Sequence, residues 1–502
     1  MKRQAEHSAY RLIGKAEGTY GFLFTEREEG NAMLKYDDWM QADELHEECG
    51  VCGVYQQEEA ASLCYYGLHA LQHRGQEGCG IASSDDRQLR LKKGHGLVRD
   101  VFDELDLREL NGIHAIAHVR YSTAGGNEAE NIQPLLAKLT NNPFAVCHNG
   151  QIVNAQRLRL ELEQQGSIFQ ATSDSEIILH LIQRESGTFI ERIRKAFARL
   201  QGAFAVLILC KDTIYAIRDP HGLRPLSYAA LQDGYCISSE TCAFSVMNAE
   251  LLDDVKPGEI VAFSPQGIHK TRYCEEQKPH MCAMEYVYFS RPDSDVEGIN
   301  VHDARRRSGV VMANKDRGLE ADIVVGVPDS SISAAIGYAQ ESGLPYEIGL
   351  IKNRYVGRTF IQPTQAQRER GVKMKLSAIH AIVRDKRIVM IDDSIVRGTT
   401  SRRIVQLLKD AGAREVHVRI ASPAIRFPCF YGVDTSSRDE LISARMKEEE
   451  LCTYLHADSL KFLDIEDVYT AFQTSHLCCA CFNGSYATPL YDYEQVLQDN
   501  NT

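Results

Sequence analysis

Two adjacent acids, Asp392 and Asp393, stand at the end of a short β-branched apolar run at residues 388–391. Small and hydroxyl residues follow at 398–401 and open an amphipathic segment, so the pattern predicts a strand, a loop and a helix start. In an open α/β sheet, ligands bind beyond the carboxyl ends of the strands, and such a loop lets backbone N–H groups face a phosphate. The predicted donors to that phosphate belong to Gly398, Thr399, Thr400 and Ser401.

The two acids cannot hold a phosphate themselves, but they can bind sugar hydroxyls and help to place a divalent cation. A solvated acidic turn is the simpler interpretation. The combination of apolar strand, double acid and Gly-Thr-Thr favours a ligand site, and KRIVMIDDSIVRGTTSRR resembles the phosphoribosyl pyrophosphate (PRPP) motif of type I phosphoribosyltransferases. By that resemblance, Mg²⁺ and PRPP meet at Ser330 of GVPDSSISAA, Asp392 and Asp393.

A second candidate site consists of four motifs in the first half of the chain: Cys49-Gly50, HVRY at 118–121, HNG at 148–150 and SDSE at 173–176. Their order resembles the class II glutamine amidotransferase domain, an N-terminal-nucleophile hydrolase in which a Cys-Gly pair begins the mature chain. The chemistry is consistent, because a thiolate can attack the glutamine amide. The free α-amino group of the same residue, with a pKa near about 8, can act as its base.

The same resemblance implies a role for each motif. Arg120 would bind the substrate carboxylate through a bidentate fork, and Asp174 would bind the α-amino group. Asn149 and the Gly150 backbone would form the oxyanion hole. Taken singly, such an Arg is usually an ion-pair residue, an Asn-Gly pair a hairpin turn and a lone Cys a buried thiol. Their occurrence together in this order favours the functional interpretation.

The elements around these motifs predict two folded halves. Short alternating strands and Gly-rich turns predict a layered α+β first half, and the resemblance implies an αββα sandwich. Strands alternating with helices predict a doubly wound, mostly parallel sheet in the second half, with a helix starting after an N-cap at Asp329 or Ser330 and another ending at Gly412. The basic residues 352–376 favour a lid over the diphosphate site rather than a solvated loop.

The expected boundaries follow from these elements: a propeptide or extension at residues 1–48, a glutamine amidotransferase domain at 49–275, a phosphoribosyltransferase domain at 276–484 and a tail at 485–502. A net charge of -13 argues against general nucleic-acid binding. The chain contains neither an apolar run long enough to span a bilayer nor a secretory signal, so a soluble, cytoplasmic protein is expected.

Both halves together resemble the amidophosphoribosyltransferase family, which makes 5-phosphoribosylamine, glutamate and pyrophosphate from glutamine and PRPP at the entry to purine synthesis. The resemblance implies Mg²⁺ as cofactor, feedback inhibition by purine nucleotides and a homotetramer. Two alternatives stay open: a PRPP-sensing regulator without glutaminase chemistry, and a sugar-phosphate amidotransferase that makes glucosamine 6-phosphate. The intact motifs speak against the first and the double-acid loop against the second.

Fifteen cysteines are many for a reducing compartment, so some are expected to carry chemistry or metal. Four of them match the positions that ligate a structural 4Fe-4S cluster in some members of this family: Cys282, Cys429, Cys478 and Cys481. Zinc in a Cys₄ site stays open, and Cys479 is an extra thiol within the pair. Residues that fit no standard zinc spacing are expected to serve packing and loops: Cys52, Cys64, Cys79, His69 and His73.

Overall fold

The computed structural model describes residues 49–121, 126, 128–139, 142–353, 376–435 and 437–494. Three expected segments lie wholly or partly outside the described residues: the propeptide at 1–48, residues 495–502 of the tail, and residues 354–375 of the basic lid. Within the described ranges, no helix is long and apolar enough to cross a membrane.

The strands are β1 (Gly50–Tyr55), β2 (Gly78–Ser84), β3 (Leu89–His95), β4 (His114–Arg120), β5 (Leu135–Ala137), β6 (Phe144–Ile152), β7 (Gly202–Cys210), β8 (Thr213–Arg218), β9 (Ser227–Ala230), β10 (Tyr235–Ser238), β11 (Glu250–Asp254), β12 (Glu259–Ser264), β13 (Gly267–Arg272), β14 (Met281–Cys282), β15 (Asp295–Val296), β16 (Ile299–Asn300), β17 (Ile323–Gly326), β18 (Leu350–Lys352), β19 (Leu376–Ala378), β20 (Arg387–Asp392), β21 (Glu415–Ile420), β22 (Ser459–Phe462) and β23 (Leu477–Cys478).

The α-helices are α1 (Ala60–Ala70), α2 (Val98–Val101), α3 (Glu104–Glu109), α4 (Ala155–Gln164), α5 (Glu176–Arg184), α6 (Phe189–Phe197), α7 (Cys242–Val246), α8 (Val301–Lys315), α9 (Ile332–Ser342), α10 (His380–Val383), α11 (Thr399–Asp410), α12 (Ile442–Arg445), α13 (Glu448–Leu455), α14 (Ile465–Phe472) and α15 (Ala480–Asn483). A π-helical turn covers Glu285–Phe289, and short 3₁₀ turns cover Gln72–Arg74, Ala129–Asn131, Arg438–Glu440 and Tyr491–Tyr493.

Two antiparallel sheets form the first half. One has the order β11-β9-β10-β1-β4-β2-β3, and the other has the order β13-β12-β8-β7-β6-β5. Successive side chains of a strand point to opposite faces, and the core divides accordingly. One cluster joins the first sheet to α1 and α7, a second lies between the sheets, and a third joins the second sheet to α4, α5 and α6. This is the predicted αββα sandwich.

A parallel sheet of order β17-β20-β21-β22 organises the second half. Val389 and Ile391 of β20 face the cluster that includes α8, α9 and α14, whereas Ile388 and Met390 face the cluster that includes α11 and α13. Burial on both faces explains why the strand is an uninterrupted apolar run. The doubly wound prediction is therefore confirmed.

Of two helix ends predicted from the sequence, the structure confirms one and corrects the other. The helix α11 ends at Asp410 with Ala411 as its C-cap, and Gly412 follows with φ +94°, as predicted for a C′ glycine. The predicted N-cap of α9 was wrong, because Ser331 occupies that position and its side chain makes no capping hydrogen bond. The hydroxyl of Ser331 instead donates to Asp392 Oδ1 at 3.3 Å.

A buried histidine in β4 makes stability depend on pH. Burial lowers the pKa of His118 from 6.5 to about 3, and the side chain is fully buried beside the His148 carbonyl at 3.1 Å. Between pH 6.5 and about 3, His118 is protonated in the unfolded chain but not in the folded chain. The contribution of this residue to stability is therefore present above pH 6.5 and is lost as the pH falls toward 3. We expect the loss at pH 4.5 to be about 2 to 3 kcal/mol for this residue.

Urea unfolding at pH 7.5 and 4.5 tests this expectation. The variant His118→Asn keeps a donor for the His148 carbonyl but does not titrate in this range. Its free energy of unfolding should fall less over the interval than that of the unaltered protein. An equal fall in the two proteins would contradict the assignment.

Candidate active sites

Cys49 lies at the start of β1, half-buried, and its Sγ donates a hydrogen bond to the Tyr121 carbonyl at 3.6 Å. Burial raises the pKa of the Cys49 thiol, whereas the Tyr121 contact and the charge of Arg120 lower it. Burial is the largest of these effects, so the thiol is protonated at neutral pH and needs a base before it can attack.

The charges of Arg120 and Asp174 both act on the pKa of this thiol, Arg120 lowering it and Asp174 raising it. Arg120 is buried at the end of β4 and donates to the Gly126 carbonyl at 2.8 Å. The Asp174 carboxylate accepts a hydrogen bond from the Ile152 N–H at 2.9 Å. A guanidinium and a carboxylate near a thiol match the two charged groups of an amino-acid substrate.

Asn149 and Gly150 occupy the middle of β6. The Asn149 side chain is fully buried, its Nδ2 lies 3.5 Å from Ser239 Oγ, and its Oδ1 accepts no hydrogen bond from a described residue. Gly150 has φ +131°, and a Cβ there would lie 2.1 Å from the Ala203 carbonyl oxygen. The glycine is therefore required by the backbone at this position.

The double-acid loop lies at the carboxyl end of β20 and lines a cavity of about 280 Å³. Gly398 has φ +78°, and a Cβ on it would lie 2.9 Å from Ile442 Cδ1, so only glycine fits before α11. All but one of the residues predicted for this site line the cavity: Ser330, Asp392, Asp393, Gly398, Thr400 and Ser401. Thr399 is the first residue of α11.

Asp392 and Asp393 are both buried and close together. Burial, followed by the charge of Asp393, raises the pKa of Asp392 to about 8, and burial also raises the pKa of Asp393. Hydroxyl groups surround the pair: Ser330 donates to Asp393, and Ser401 donates to Asp392 Oδ2 at 3.3 Å. Because their pKa values are raised, the pair is expected to release a proton when it binds a cation.

A buried network of charges joins the two sites. Arg74 Nε donates to the Cys49 carbonyl at 3.3 Å, and its terminal nitrogens reach Glu240 Oε1 at 2.7 Å and Glu285 Oε1 at 2.8 Å. Glu240 also bonds His73 Nε2 at 2.7 Å, and His73 lines the cavity of the double-acid loop. The Arg74 guanidinium thus contacts both the backbone of Cys49, the predicted nucleophile, and the carboxylate of Glu240. Glu240 in turn holds His73, which lines the other cavity.

The four predicted cluster cysteines line a second cavity. The short strands β14 and β23 pair in parallel with Cys282 opposite Cys478, which brings these distant residues together. The Tyr431 N–H donates to Cys429 Sγ at 3.4 Å. Cys479 does not line this cavity, and it is 3% exposed.

Comparison with known proteins supports the division into two catalytic halves. Residues 118–246 match the glutamine amidotransferase domain, and residues 309–423 match the phosphoribosyl transferase domain. The amidophosphoribosyltransferase of Bacillus subtilis (strain 168) is 52% identical over 456 residues, which cover 89% of this chain and 95% of that protein. The chain belongs to the amidophosphoribosyltransferase family.

Other members are similarly close. The amidophosphoribosyltransferase of Staphylococcus aureus (strain MRSA252) is 49% identical over 459 residues, covering 90% of this chain and 93% of that protein. A solved structure of the B. subtilis glutamine PRPP amidotransferase, complexed with ADP and GMP, matches with a TM-score of 0.85 at 50% identity. It covers 88% of this chain and 98% of the solved one, so the fold matches this family over both halves.

Sequence reasoning missed several residues that lie in or beside the two candidate sites. Arg305 is buried, lines the larger cavity and donates to the Tyr286 carbonyl at 2.7 Å. Arg74, Glu240 and Glu285 were given no role. Buried ion pairs leave no signature in a single sequence, because an Arg or Glu looks the same whether it is exposed or paired. His73, expected to serve packing, lines the PRPP cavity instead.

Proposed function

We propose that this chain hydrolyses glutamine at Cys49 and uses the ammonia to displace pyrophosphate from C1 of PRPP, giving 5-phosphoribosylamine in the first step of purine (IMP) synthesis. The observation that carries the proposal is the Arg74 network, which joins the Cys49 backbone to the cavity of the double-acid loop through Glu240 and His73. Arg74, Glu240 and Glu285 are paired within this network, so one set of buried contacts holds both the Cys49 backbone and a residue of the other cavity.

The glutaminase half supplies a nucleophile, a base and an oxyanion site. Arg120 would hold the glutamine carboxylate and Asp174 its α-amino group, which leaves the amide beside Cys49 Sγ. The α-amino group of Cys49 would take the thiol proton, so residues 1–48 must be removed for the reaction to run. Asn149 and the Gly150 N–H would stabilise the oxyanion of the tetrahedral intermediate.

The phosphoribosyltransferase half supplies donors and charge. Backbone N–H groups at the start of α11, with the hydroxyls of Thr399, Thr400 and Ser401, would bind the 5-phosphate. Asp392 and Asp393 would bind the ribose hydroxyls, and together with Ser330 would hold Mg²⁺. Lys352, which lies 3.5 Å from Asp329 as an ion pair, stands at the start of the basic lid that would face the leaving group.

Mg²⁺ suits this donor set. No group of three or more His, Cys, Asp and Glu side chains in the described part of the chain is arranged to hold a metal ion by itself. Mg²⁺ commonly takes one or two carboxylates and completes its shell with substrate oxygens and water, and two buried carboxylates meet that requirement. When bound, it would neutralise charge on the pyrophosphate as that group leaves.

Four cysteines surround one small cavity: Cys282, Cys429, Cys478 and Cys481. Four thiolates are the usual ligands of a 4Fe-4S cluster, and a Cys₄ set can also hold zinc. We propose that these four thiols hold a 4Fe-4S cluster of structural role, as the family resemblance implies, and that Cys479, which does not line the cavity, is not a ligand.

Iron and sulfide analysis tests the cluster. Anaerobically purified protein should contain about four iron and four sulfide per chain, and Cys282→Ser should lose both. Cys452→Ser, which changes a half-buried thiol on α13, is the matched control and should keep them. One zinc per chain without sulfide would contradict the assignment.

The expected domain boundary, inhibitors, assembly and location belong to the same proposal. The domain boundary would fall at 275/276, between β13 and β14. Purine nucleotides would inhibit, which is supported by the ADP and GMP bound to the solved relative, and the assembly would be a homotetramer. A cytoplasmic location suits a chain whose fifteen cysteines are all free.

The stoichiometry of the products tests the proposed function. With glutamine, PRPP and Mg²⁺, glutamate and pyrophosphate should form in a 1:1 ratio, and omission of PRPP should sharply reduce glutamate formation. Glutamate formation without any pyrophosphate would show a plain glutaminase and overturn the proposal.

A further inference from the structure

The chain returns to the glutaminase half near its end. Residues 490–494 pack on the loop that follows the oxyanion strand β6, and the contacts come from three consecutive residues. The Asp492 carboxylate accepts a hydrogen bond from the Gln156 N–H at 2.7 Å, at the start of α4. Asn154, the N-cap of α4, makes no capping hydrogen bond with its side chain, so Asp492 supplies the missing acceptor from a distant part of the chain.

Tyr493 makes the contact nearest to the predicted oxyanion hole. Its hydroxyl oxygen accepts a hydrogen bond from Gln151 Nε2 at 2.5 Å, and Gln151 directly follows Gly150 in β6. The Tyr493 ring stacks on Phe430, with centroids 5.0 Å apart and planes at 30°. Phe430, in the second half of the chain, thus holds the ring in place, and the hydroxyl points to Gln151 in the glutaminase half.

The surroundings of this hydroxyl also favour a role near substrate. Burial raises the pKa of Tyr493, and the charge of Asp174, the predicted partner of the glutamine amino group, raises it further. The hydroxyl therefore stays protonated at working pH and keeps a proton to donate. The same stretch is anchored by Arg157, whose guanidinium lies 4.7 Å from the Tyr491 ring centroid.

We propose that Tyr493 is a positioning residue for glutamine. Through its bond to Gln151 it fixes the segment of β6 that carries Asn149 and Gly150, and its ring is held in place by Phe430. This inference rests on the proposed function, since it assumes that glutamine binds between Arg120, Asp174 and the oxyanion strand. It adds that the glutamine site is incomplete without residues 490–494.

Steady-state kinetics of Tyr493→Phe test the inference, because that change removes the hydroxyl and keeps the stacked ring. We expect the KM for glutamine to rise about three- to tenfold, the usual result of losing one buried hydrogen bond. The KM for PRPP and the rate with ammonium chloride should stay within about twofold of the unaltered protein. Gln151→Ala should reproduce the effect, and the double variant should be no worse than the single ones.

Tyr491→Phe is the matched control. It removes a hydroxyl from the same stretch that makes no hydrogen bond to a described residue, and it keeps the ring over Arg157. Its glutamine KM should not change. Additive effects in the double variant, an unchanged glutamine KM in Tyr493→Phe, or an equal loss with ammonium would each overturn the inference. Glutamine-dependent activity of the unaltered protein is measured in the same series, so failure of the proposed function itself would be seen separately.

Discussion

Replacing Cys49 by alanine is expected to reduce glutamine-dependent pyrophosphate release by at least about 10³-fold, because no other group can form the thioester. The rate with ammonium chloride should stay within about twofold, since added ammonia reaches PRPP without the thiol. The nucleophile and the double-acid loop lie in separate halves, so the change at β1 leaves the PRPP cavity intact.

Cys274→Ala provides the control for loss of a thiol as such. Cys274 is half-buried at the end of the second antiparallel sheet and packs beside the helix-covered cluster of that sheet. Its glutamine and ammonium rates should both match those of the unaltered protein. Loss of both activities in Cys49→Ala would contradict the separation of the two sites.

Replacing Asp392 by asparagine is expected to lower kcat/KM for PRPP by about 10²-fold with either nitrogen source, equivalent to about 2.7 kcal/mol of transition-state stabilisation. The change preserves shape but removes the charge that the proposed Mg²⁺-PRPP complex needs. Asp410→Asn, at the exposed end of α11, is the matched control and should change neither rate. A loss confined to glutamine would contradict the role of Asp392.

The same carboxylate predicts a pH dependence. Because burial and the neighbouring acid raise the pKa of Asp392 to about 8, the empty site is mostly protonated at pH 7 and ionised above 8. Binding of a cation and PRPP needs the ionised form, so the KM for PRPP should fall as pH rises from 7 to about 9. Asp392→Asn should show a flatter profile.

The strand, loop and helix start of the PRPP half could be predicted because their sequence signals are local. The apolar run, the paired acids and the Gly-Thr-Thr helix start each have a local cause, and the structure places them as strand, loop and helix. The predicted N-cap of α9 was wrong, because the two candidates, Asp329 and Ser330, are followed directly by the residue that occupies the position, Ser331. Tertiary contacts set the roles of the two serines: their hydroxyls donate to Asp393 and Asp392.

Contacts between distant residues were beyond sequence reasoning. The strand pairing that places Cys282 opposite Cys478 depends on two strands of two residues each, too short to leave a pattern, so only the family resemblance indicated that these cysteines meet. The Arg74 network depends on burial, and the Tyr493 contact joins residues that are 342 positions apart. Only the fold brings such residues together, since sequence periodicity reports the local face of an element and not its partner.

Pyrophosphate release from PRPP by the unaltered protein tests the central claim most directly. The assay uses Mg²⁺ and anaerobic protein whose first residue is Cys49, with glutamine or ammonium chloride as the nitrogen source, and includes uncleaved protein as a control. The account predicts release with both sources from the processed chain and with ammonium alone from the uncleaved one. Processed, folded protein that binds PRPP but releases pyrophosphate with neither source would contradict it and identify a PRPP-binding regulator.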